Sequence, residues 1–496
     1  MATYEDRAPT DRAPTDVMDT ADKPSLPSPR ASTHDPHRDD AESLDILRSA
    51  VRDNLIRYGA EFHPEFILRA RGSYIYDENG RAILDFTSGQ MCATLGHNHP
   101  AIVAAIERSC REVLHLFSGM LSPAVASLAR RMAALLPKTL SKFIFLNTGG
   151  ESNETALRLA KKYTGGFEVV GRDGSWHGTT AGANSMTYAS GRRGYGPLVP
   201  GTFAIPEPNS YRCPVRHCRD RCDMTCLDIG FNMFDAQSVG APAAVIVEPV
   251  LSAGGIVVPP EGYFVRLRKL CDARGMLLIF DEAQTAFGRT GRNFAFEGLG
   301  VVPDILTMSK TLGGGLPLAA TATSAAIEEE CHRKGFANYT SHVSDPLPAT
   351  VGLAVLDVLE DEQLAANART MGERLKCGLL ELKARHEVIG DVRGQGLLIG
   401  VELVKDRETR EPFHELGLKV TNRCMELGLS MNIRQVPTRG AVWRIAPPLT
   451  VQADEIDRAL AIIDQALGDC ASAPAARSGA TSRVAMAQIG RRDKVR

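Results

Sequence analysis

The sequence predicts an α/β protein built around a mostly parallel sheet, and two observations carry this prediction. First, short apolar runs that read as buried strands alternate with helical segments; the predicted strands are Phe143–Leu146, Ala244–Val247, Met276–Phe280 and Asp304–Met308. Second, Glu151–Tyr163 follows the first strand with apolar residues at helical spacing on one face. Continuous apolar strands separated by helices are typical of a parallel sheet buried on both faces. Such sheets bind ligands beyond the carboxyl ends of their strands, so we expect the functional site at that edge.

The 496 residues are too many for one compact core and predict two or three domains. The pattern changes near residue 350, where the predicted helices Ala349–Leu359 and Gln363–Arg385 lead to short strands near Gly394–Val404 and Trp443–Ala446. This change predicts a smaller α+β domain. Both ends of the chain are polar and are expected to be disordered tails. The expected division is a tail at 1–40, a segment at 41–85 that joins the small domain, a large domain at 86–345, the small domain at 346–470 and a tail at 471–496.

Composition and charge exclude several classes of protein. Apolar residues make up 44% of the chain and charged residues 23%, and the formal net charge is −2. Because no basic block stands out, neither nucleic acid nor an anionic membrane is expected as a partner. No apolar run approaches the roughly 18 residues needed to span a bilayer, and the N-terminus does not resemble a secretory signal. We therefore expect a cytoplasmic protein.

The chain contains 11 cysteines, which in a long cytoplasmic chain indicates reduced thiols rather than a disulfide framework. Four of them cluster at Cys213, Cys218, Cys222 and Cys226, with His217 between them. A zinc site is one interpretation of this cluster, but the cluster lacks a CxxC pair, which is a poor match to the usual spacing of structural zinc ligands. The favoured interpretation is a surface loop with spare thiols.

Lys310 and Asp281 are the residues that best indicate chemistry. Lys310 follows a predicted strand and precedes glycines in TMSKTLGGGLPLA. It is either a surface lysine beside a turn or an amine whose lowered pKa lets it condense with an aldehyde cofactor. Asp281 closes the strand of LLIFDEAQ, where it either caps a helix or pairs with a cation such as the protonated ring nitrogen of pyridoxal phosphate (PLP). About one helix-and-strand unit separates the two residues, so both side chains can reach one cleft.

Two further segments are typical of cofactor sites. Thr148, Gly149 and Gly150 lie between a strand and a helix, where backbone N–H groups at a helix N-terminus suit a phosphate. Trp176 lies near a glycine in SWHG, where its flat face can cover a planar ring. Taken alone, the glycines read as an ordinary helix cap and Trp176 as a core residue. Only their combination with Lys310 and Asp281 favours a cofactor site.

Together these motifs resemble the class-III aminotransferase family of fold-type I PLP enzymes, over roughly residues 45 to 470. The stretches NTGGESNETALRLAK, DEAQTAFGRTG and PDILTMSKTLGGGLPLAA carry the family resemblance. The stretches TSGQMCATLGHNHP, GSWHGTT, YTSHVSDPLPA and WRIAPPLT are similar to the 2,2-dialkylglycine decarboxylase branch. The resemblance implies a PLP-dependent transferase fold whose large domain contains a mostly parallel, seven-stranded sheet.

The resemblance also implies roles for the residues around the cofactor ring. Lys310 would bind PLP covalently, Asp281 would pair with the ring nitrogen, and Gln284 would reach the phenolic oxygen. The ring would lie between Trp176 and Ala283, with Trp176 also bordering the substrate.

The phosphate and the substrate would contact a second set of residues. Residues 148–150 would hold the phosphate, and Ser341 would reach the phosphate of a partner subunit, so that a homodimer or homotetramer is expected. In the substrate site, Gln90 would support a leaving carboxylate beside Met91. Arg444 would bind a substrate carboxylate bidentately, as its fork geometry favours.

A structural alkali-metal site, for K+ or Na+, is a further implication of the resemblance. Oxygen ligands suit such hard cations. The ligands would be Leu116, Ser118, Ser341, Val343 and Asp345. The alternative for these residues is ordinary hydrogen bonding within turns.

The expected function is PLP-dependent decarboxylation and transamination of 2,2-dialkylglycines such as 2-aminoisobutyrate, with pyruvate as amino acceptor, giving a ketone, CO2 and alanine. One residue departs from this pattern, because Ala253 in EPVLSAGGI replaces a serine whose hydroxyl would lie near the substrate carboxylates. The alternative is therefore a class-III aminotransferase that transfers an amino group from an amine or amino acid to pyruvate or another 2-oxo acid without decarboxylation. A catalytically silent binding module is disfavoured because Lys310 and Asp281 are both present.

Overall fold

The structure is a computed structural model that describes residues 41–472 except 60–61, 191, 193, 214, 216–221 and 437–439. The tails expected at 1–40 and from 473 onward therefore lie outside the described residues, as do Cys218 and His217. The last helix reaches Ser472, two residues beyond the expected end of the small domain. Residues 63–472 belong to one compact unit, and the helix at Ala41–Asn54 belongs to another.

The described secondary structure alternates strands with helices over most of its length. The strands are β1 (Ile67–Arg71), β2 (Tyr74–Asp77), β3 (Ala82–Asp85), β4 (Lys142–Leu146), β5 (Glu168–Arg172), β6 (Thr202–Ile205), β7 (Pro242–Val247), β8 (Leu277–Asp281), β9 (Ile305–Met308), β10 (Ala319–Thr323), β11 (Ile389–Gln395), β12 (Leu398–Leu403), β13 (Leu429–Ser430), β14 (Asn432–Val436) and β15 (Gly440–Ile445). The helices are α1 (Ala41–Asn54), α2 (Ser88–Met91), α3 (Pro100–Arg111), α4 (Pro123–Leu135), α5 (Gly149–Thr164), α6 (Ala181–Ser185), α7 (Thr225–Gln237), α8 (Tyr263–Asp272), α9 (Ala325–Arg333), α10 (Pro346–Asp361), α11 (Leu364–Arg385), α12 (His414–Glu426) and α13 (Ala453–Ser472). None of these described helices is both long enough and apolar enough to cross a membrane.

A seven-stranded sheet has the strand order β4-β10-β9-β8-β7-β5-β6. The strands from β9 to β6 pair in parallel, whereas β10 runs antiparallel between β4 and β9. The predicted fold class, with its mostly parallel seven-stranded sheet, is therefore confirmed. The four predicted strands form as β4, β7, β8 and β9, within two residues of the predicted ends. The strand β10 was not predicted, because its sequence, AATAT, lacks the large apolar residues that mark a buried strand.

The sheet is buried on both faces, and neighbouring residues of one strand pack into different cores. Ala244 and Ile246 of β7 pack with α5 on one face. Val245 and Val247 of the same strand pack into the core of the other face, with residues from α4, α7 and α8. This alternation follows from the two-residue period of a strand. Each large aliphatic side chain buried in this way contributes roughly 1.5–3 kcal/mol relative to its exposed state.

The C-terminal part contains a second sheet, an antiparallel one with the order β11-β12-β15-β14. A third sheet pairs the N-terminal strands β1, β2 and β3 with β13, which contributes Leu429 beside Leu84. The strand expected near Gly394–Val404 is β12, and β11 precedes it as its antiparallel partner. The division into a large and a small domain at residue 345 stays a prediction.

Candidate active site

Asp281 and Lys310 lie at the carboxyl ends of adjacent parallel strands. Asp281 is the last residue of β8, and Lys310 follows β9 by two residues, with Asp281 paired to Thr307 in the β8–β9 register. The backbone of Lys310 has a φ of 52°, a left-handed conformation that is uncommon outside glycine and that turns the chain out of the strand direction. As a result, both residues line one cavity of about 340 Å³.

The carboxylate of Asp281 is buried and fully hydrogen-bonded. It accepts hydrogen bonds from His177 Nδ1 at 2.8 Å, from Asn153 Nδ2 at 2.7 Å and from the backbone N–H of Ala283 at 3.0 Å. Burial alone would raise the pKa of Asp281, but the hydrogen bond from His177 and the positive charges of His177 and Lys310 outweigh it. The pKa therefore lies below its ordinary value. A buried carboxylate that stays ionised can hold a cation in the cavity.

His177 and Asn153 are functional residues to which the sequence analysis assigned no role. Asn153, on α5, also donates to the backbone carbonyl of His177 at 2.8 Å and accepts from Thr307 Oγ1 at 2.7 Å. The Nε2 atom of His177 is buried without a hydrogen-bond partner among the described residues. Both side chains hold the carboxylate of Asp281 in one orientation. The signal for His177 was its position directly after Trp176, whereas nothing in a single sequence distinguishes Asn153 from an ordinary helix residue.

The turn before α5 forms the end of the cavity that suits a phosphate. A capping box starts the helix, with Thr148 accepting from the backbone of Glu151 and Glu151 accepting from the backbone of Thr148. The glycines are required by close contacts, because a Cβ atom on Gly149 would lie 2.9 Å from Ser309 Oγ. A Cβ atom on Gly178 would lie 2.6 Å from the Cα atom of Gly150. Backbone N–H groups at the start of α5 can therefore approach an anion closely.

Trp176 and Ala283 line the same cavity, as expected for residues on the two faces of a planar ring. Trp176 is 38% exposed, so it is not a core residue. Its backbone N–H donates to Glu248 Oε1 at 2.9 Å, and the other carboxylate oxygen of Glu248 accepts from the backbone of Ser252 at 3.0 Å. Glu248 thus joins the loop of Trp176 to the loop that contains Ala253.

The pKa of Lys310 depends on burial and on neighbouring charges. Burial lowers the pKa of Lys310 below its ordinary value, and the positive charge of Arg444 acts in the same direction. The negative charge of Asp281 opposes this shift without cancelling it. A lysine with a lowered pKa is more often neutral and therefore more nucleophilic. Cys92, which also lines the cavity, was not singled out by the sequence analysis.

Gln90 and Met91 are not among the residues that line the cavity, although the next residue, Cys92, is. Gln90 is exposed, in a segment where Ser88, Gly89 and Met91 have positive φ angles. Met91 is buried and packs in an apolar cluster with Val250, Ile256, Leu398 and Ala446. Its position beside the substrate stays a prediction.

Arg444 and Gln284 also lie outside the lining of the cavity. Arg444, on β15, donates from Nε and Nη2 to Asn432 Oδ1 at 3.0 and 2.7 Å. Its charge nevertheless acts on Lys310. Gln284 follows Asp281 by three residues, and its Oε1 atom is buried without a hydrogen-bond partner among the described residues.

The expected alkali-metal ligands lie in two segments that meet at Asp345. Asp345 is buried at the start of α10, and its carboxylate accepts from His115 Nδ1 at 2.7 Å and from His342 Nδ1 at 2.6 Å. Within the described residues, these three side chains form a group whose ligand atoms lie within 4.8 Å of one another. Ser341 is exposed and is not among the residues that line the cavity of Lys310.

The cysteine cluster is described only in part. Burial, together with the charges of Cys222 and Cys213, raises the pKa of Cys226 to about 11. In the described part of the chain, these three thiols do not form a group with all ligand atoms within 4.8 Å. The zinc interpretation depends also on Cys218 and His217, which lie outside the described residues.

PLP fits the chemistry of this cavity. The ionised Asp281 suits a protonated ring nitrogen, and the amine of Lys310 suits an aldehyde. Gln284 lies outside the lining of the cavity, and its unpartnered Oε1 atom can accept a hydrogen bond from a phenolic hydroxyl group. The close contact of Gly149 with Ser309 leaves no room for a side chain where the phosphate is expected.

Comparisons with known proteins agree with this geometry. The family model "Aminotransferase class-III" matches residues 58–467. An uncharacterized aminotransferase of Schizosaccharomyces pombe is 52% identical over 84% of this chain and 93% of its own length. A leucine/methionine racemase of Thermococcus litoralis is 35% identical over 82% of this chain and 91% of its own. A 5-aminovalerate aminotransferase of Pseudomonas aeruginosa is 34% identical over 83% of this chain and 95% of its own.

A solved structure shows the same architecture with the cofactor present. It is an amine transaminase from an uncultivated Pseudomonas species in the PLP-bound form, 29% identical, with a TM-score of 0.76. The match covers 90% of this chain and 99% of that one. The chain therefore belongs to the class-III aminotransferase family and is a PLP-dependent enzyme of fold type I.

Proposed function

We propose that this protein is an aminotransferase that moves an amino group from an amine or amino acid to pyruvate or another 2-oxo acid. The observation that carries the proposal is that Lys310 and Asp281 line one cavity, with a lowered pKa on each. The relatives support it, because those from Schizosaccharomyces pombe and Pseudomonas aeruginosa are named as aminotransferases. When bound, PLP supplies the aldehyde that receives the amino group and a ring that withdraws electrons from the bonds of the amino carbon.

The residues around the ring hold it in place. Asp281 keeps the ring nitrogen protonated, because a buried and ionised carboxylate stabilises a cation beside it. His177 and Asn153 orient that carboxylate through hydrogen bonds of 2.8 and 2.7 Å. Trp176 and Ala283, which line the cavity, would cover the two faces of the ring, and the backbone at 148–150 would hold the phosphate.

Lys310 would transfer the proton in each of the two half-reactions. Its Nζ atom would take the proton from the amino carbon of the donor and would release it to the cofactor carbon that bears the transferred nitrogen. In the second half-reaction the same atom would move a proton in the opposite direction, to the carbon of the 2-oxo acid that receives the amino group. The lowered pKa suits this role, since it increases the fraction of neutral amine that can accept a proton.

Decarboxylation coupled to transamination is a second candidate. The bond that breaks is the one perpendicular to the plane of the ring, so a site that places a carboxylate there releases CO2. The motifs around Gln90 and Arg444 that resemble the decarboxylase branch support this candidate, and Ser88 Oγ links the two segments by donating to the carbonyl of Ala446 at 2.6 Å. The methyl group of Ala253 counts against it, since alanine cannot donate a hydrogen bond to a carboxylate.

One experiment separates the two candidates. The PLP-loaded protein is incubated with pyruvate and, in turn, with propylamine, 5-aminovalerate or 2-aminoisobutyrate, while alanine, CO2 and acetone are measured. Alanine formed from the first two donors supports the aminotransferase proposal. CO2 and acetone formed with alanine from 2-aminoisobutyrate support the second candidate. Absence of alanine from a broad panel of amines and amino acids would refute both.

We also propose a homodimer or homotetramer and an alkali ion, K+ or Na+, near Asp345. The exposed position of Ser341 supports a contact with a partner subunit, because a residue outside its own cavity is available to another. The burial of Asp345 supports an ion, since a buried carboxylate benefits from a cation. The imidazoles of His115 and His342 now satisfy the same carboxylate and would compete with the ion.

A further inference from the structure

Asn432 and Arg444 are directly opposite each other in the second sheet. They form a pair in the antiparallel register of β14 and β15, so their side chains project from the same face. The Nε and Nη2 atoms of Arg444 both donate to the single oxygen Oδ1 of Asn432, at 3.0 and 2.7 Å. Two donors on one acceptor fix both the position and the plane of the guanidinium group.

The acceptor of both hydrogen bonds, Oδ1 of Asn432, belongs to an uncharged side chain. An arginine that binds a substrate carboxylate must be held in one orientation and must keep its positive charge. An aspartate or glutamate at position 432 would hold the arginine but would also cancel its charge. The amide oxygen of Asn432 is neutral, so it orients Arg444 without cancelling the charge that a carboxylate needs.

The charge of Arg444 acts on the reacting part of the site. It lowers the pKa of Lys310, which is the residue that lines the cavity beside Asp281. Its neighbour on the strand, Trp443, is fully buried and is held by a hydrogen bond from Nε1 to Thr421 Oγ1 at 2.8 Å. The strand is therefore anchored on its buried side by Thr421 and on the side of Arg444 by Asn432.

We infer that Asn432 is the positioning residue that orients Arg444 toward the carboxylate of amino-acid and 2-oxo-acid substrates. The inference rests on the proposed function and on the role that the family resemblance implies for Arg444, which is to bind a substrate carboxylate. It adds a specificity determinant on β14: Asn432 sets the affinity for substrates with a carboxylate next to the reacting carbon and has no effect on simple amines.

The test compares two half-reactions by following the absorbance of the bound cofactor. One half-reaction uses propylamine, which has no carboxylate, and the other uses pyruvate with the amino form of the enzyme. For Asn432→Ala we expect the KM for pyruvate to rise roughly tenfold, as for loss of a hydrogen bond to a charged group, with kcat changed less than twofold. The kinetics with propylamine should stay within about twofold of the wild type.

Two further variants make the test specific. Asn432→Asp keeps the acceptor oxygen but cancels the charge, so its KM for pyruvate should rise at least as much as that of Asn432→Ala. Thr421→Val removes a buried hydrogen bond from the same part of the sheet and should change the two half-reactions equally. An equal loss in both half-reactions for Asn432→Ala would overturn the inference and assign Asn432 a structural role.

A binding measurement keeps the inference separate from the proposed function. The PLP-loaded protein is titrated with acetate and propionate, which carry a carboxylate but no amino group, and the cofactor absorbance reports binding. Binding should weaken in Asn432→Ala, and the same substitution should have no further effect in an Arg444→Ala background. A further loss in that background would overturn the inference. Absence of aminotransferase activity with every donor would refute the proposed function while leaving this binding result interpretable.

Discussion

The Nδ1 atom of His177 lies 2.8 Å from Oδ2 of Asp281, and both side chains are almost completely buried. Asn153 donates to the same carboxylate oxygen at 2.7 Å. This arrangement lets a carboxylate remain charged at the end of a buried strand, where burial alone would favour its neutral form. The charge of Asp281 thus depends on His177 and Asn153, which line the same cavity.

Replacing His177 by Phe should weaken the binding of PLP and shift the pH dependence of the activity. Without its partner the pKa of Asp281 rises, so the carboxylate is protonated at a higher pH than in the wild type. We expect PLP affinity to fall by roughly tenfold or more, as for loss of a charge-assisted hydrogen bond. The acid limb of the activity profile should move to higher pH. The measurements are PLP titration and a pH–rate profile.

A matched control exists on the surface of the protein. His386 Nε2 lies 2.7 Å from Asp464 Oδ1, so His386→Phe breaks the same kind of pair away from the cavity. This variant should keep the PLP affinity and the acid limb of the wild type. Equal changes in both variants would contradict a specific role of His177.

Replacing Lys310 by Ala should abolish turnover, because it removes both the amine that binds PLP and the group that moves the proton. The absorbance of the bound cofactor should shift away from that of the wild type. Lys161→Ala is a control, since burial also lowers the pKa of Lys161, on α5. Turnover by Lys310→Ala at more than about a thousandth of the wild-type rate would be incompatible with both roles.

The pKa of Lys310 should respond in opposite directions to two neighbours. Arg444→Gln removes a positive charge that lowers this pKa, so the pKa should rise and the amine should react more slowly at a given pH. Asp281→Asn removes a negative charge that raises it, so the pKa should fall further. Carbamoylation of Lys310 by cyanate in the cofactor-free protein, followed across pH by peptide mass spectrometry, measures both shifts. Exposed lysines of the same sample serve as the reference, and shifts of the same sign would contradict the electrostatic argument.

Glu282 should make the protein less stable as the pH rises from about 4.5 to about 7. It is fully buried and accepts from the backbone of Ala295 and Phe296 at 2.8 and 2.9 Å, and burial raises its pKa to about 7 from 4.5. Because the folded pKa exceeds the unfolded one, the folded state binds more protons in this window, and stability falls with increasing pH. The Tm of the wild type minus the Tm of Glu282→Gln should therefore decrease as the pH rises from 5 to 8. The control Glu261→Gln, at an exposed position, should show no such trend. A Tm difference for Glu282→Gln that does not change with pH would exclude the proposed link between protonation of Glu282 and stability.

Replacing Asp345 by Asn should remove any dependence of activity on K+ or Na+. A neutral amide binds a hard cation more weakly than a carboxylate does, so the variant should behave alike in K+, Na+ and tetramethylammonium buffers. The wild type should be more active in one of the alkali ions. Equal wild-type activity in all three buffers would exclude a functional alkali ion at this position.

Much of the fold could be predicted from the sequence, because its buried strands have a local signal. The apolar runs of β4, β7, β8 and β9 are each followed by polar residues, and this pattern alone indicates a parallel sheet with a site at its carboxyl edge. The small residues of β10 have no such signal, and the neighbouring strands make β10 a strand by pairing with it on both sides. Likewise, Met91 reads as part of a functional motif, yet the tertiary structure buries it among apolar side chains from distant segments.

The sequence alone was sufficient to predict that Lys310 and Asp281 share a cleft. Asp281 ends one strand and Lys310 closely follows another; both strands are recognisable from their own composition, and the alternation of strands and helices brings such ends to one edge. The side chains that support this pair became apparent from the tertiary structure. His177 and Asn153 at Asp281, Glu248 at Trp176 and Asn432 at Arg444 act through hydrogen bonds between residues distant in the chain. Such contacts depend on how strands and loops pack together, and local composition and periodicity contain no information about that packing.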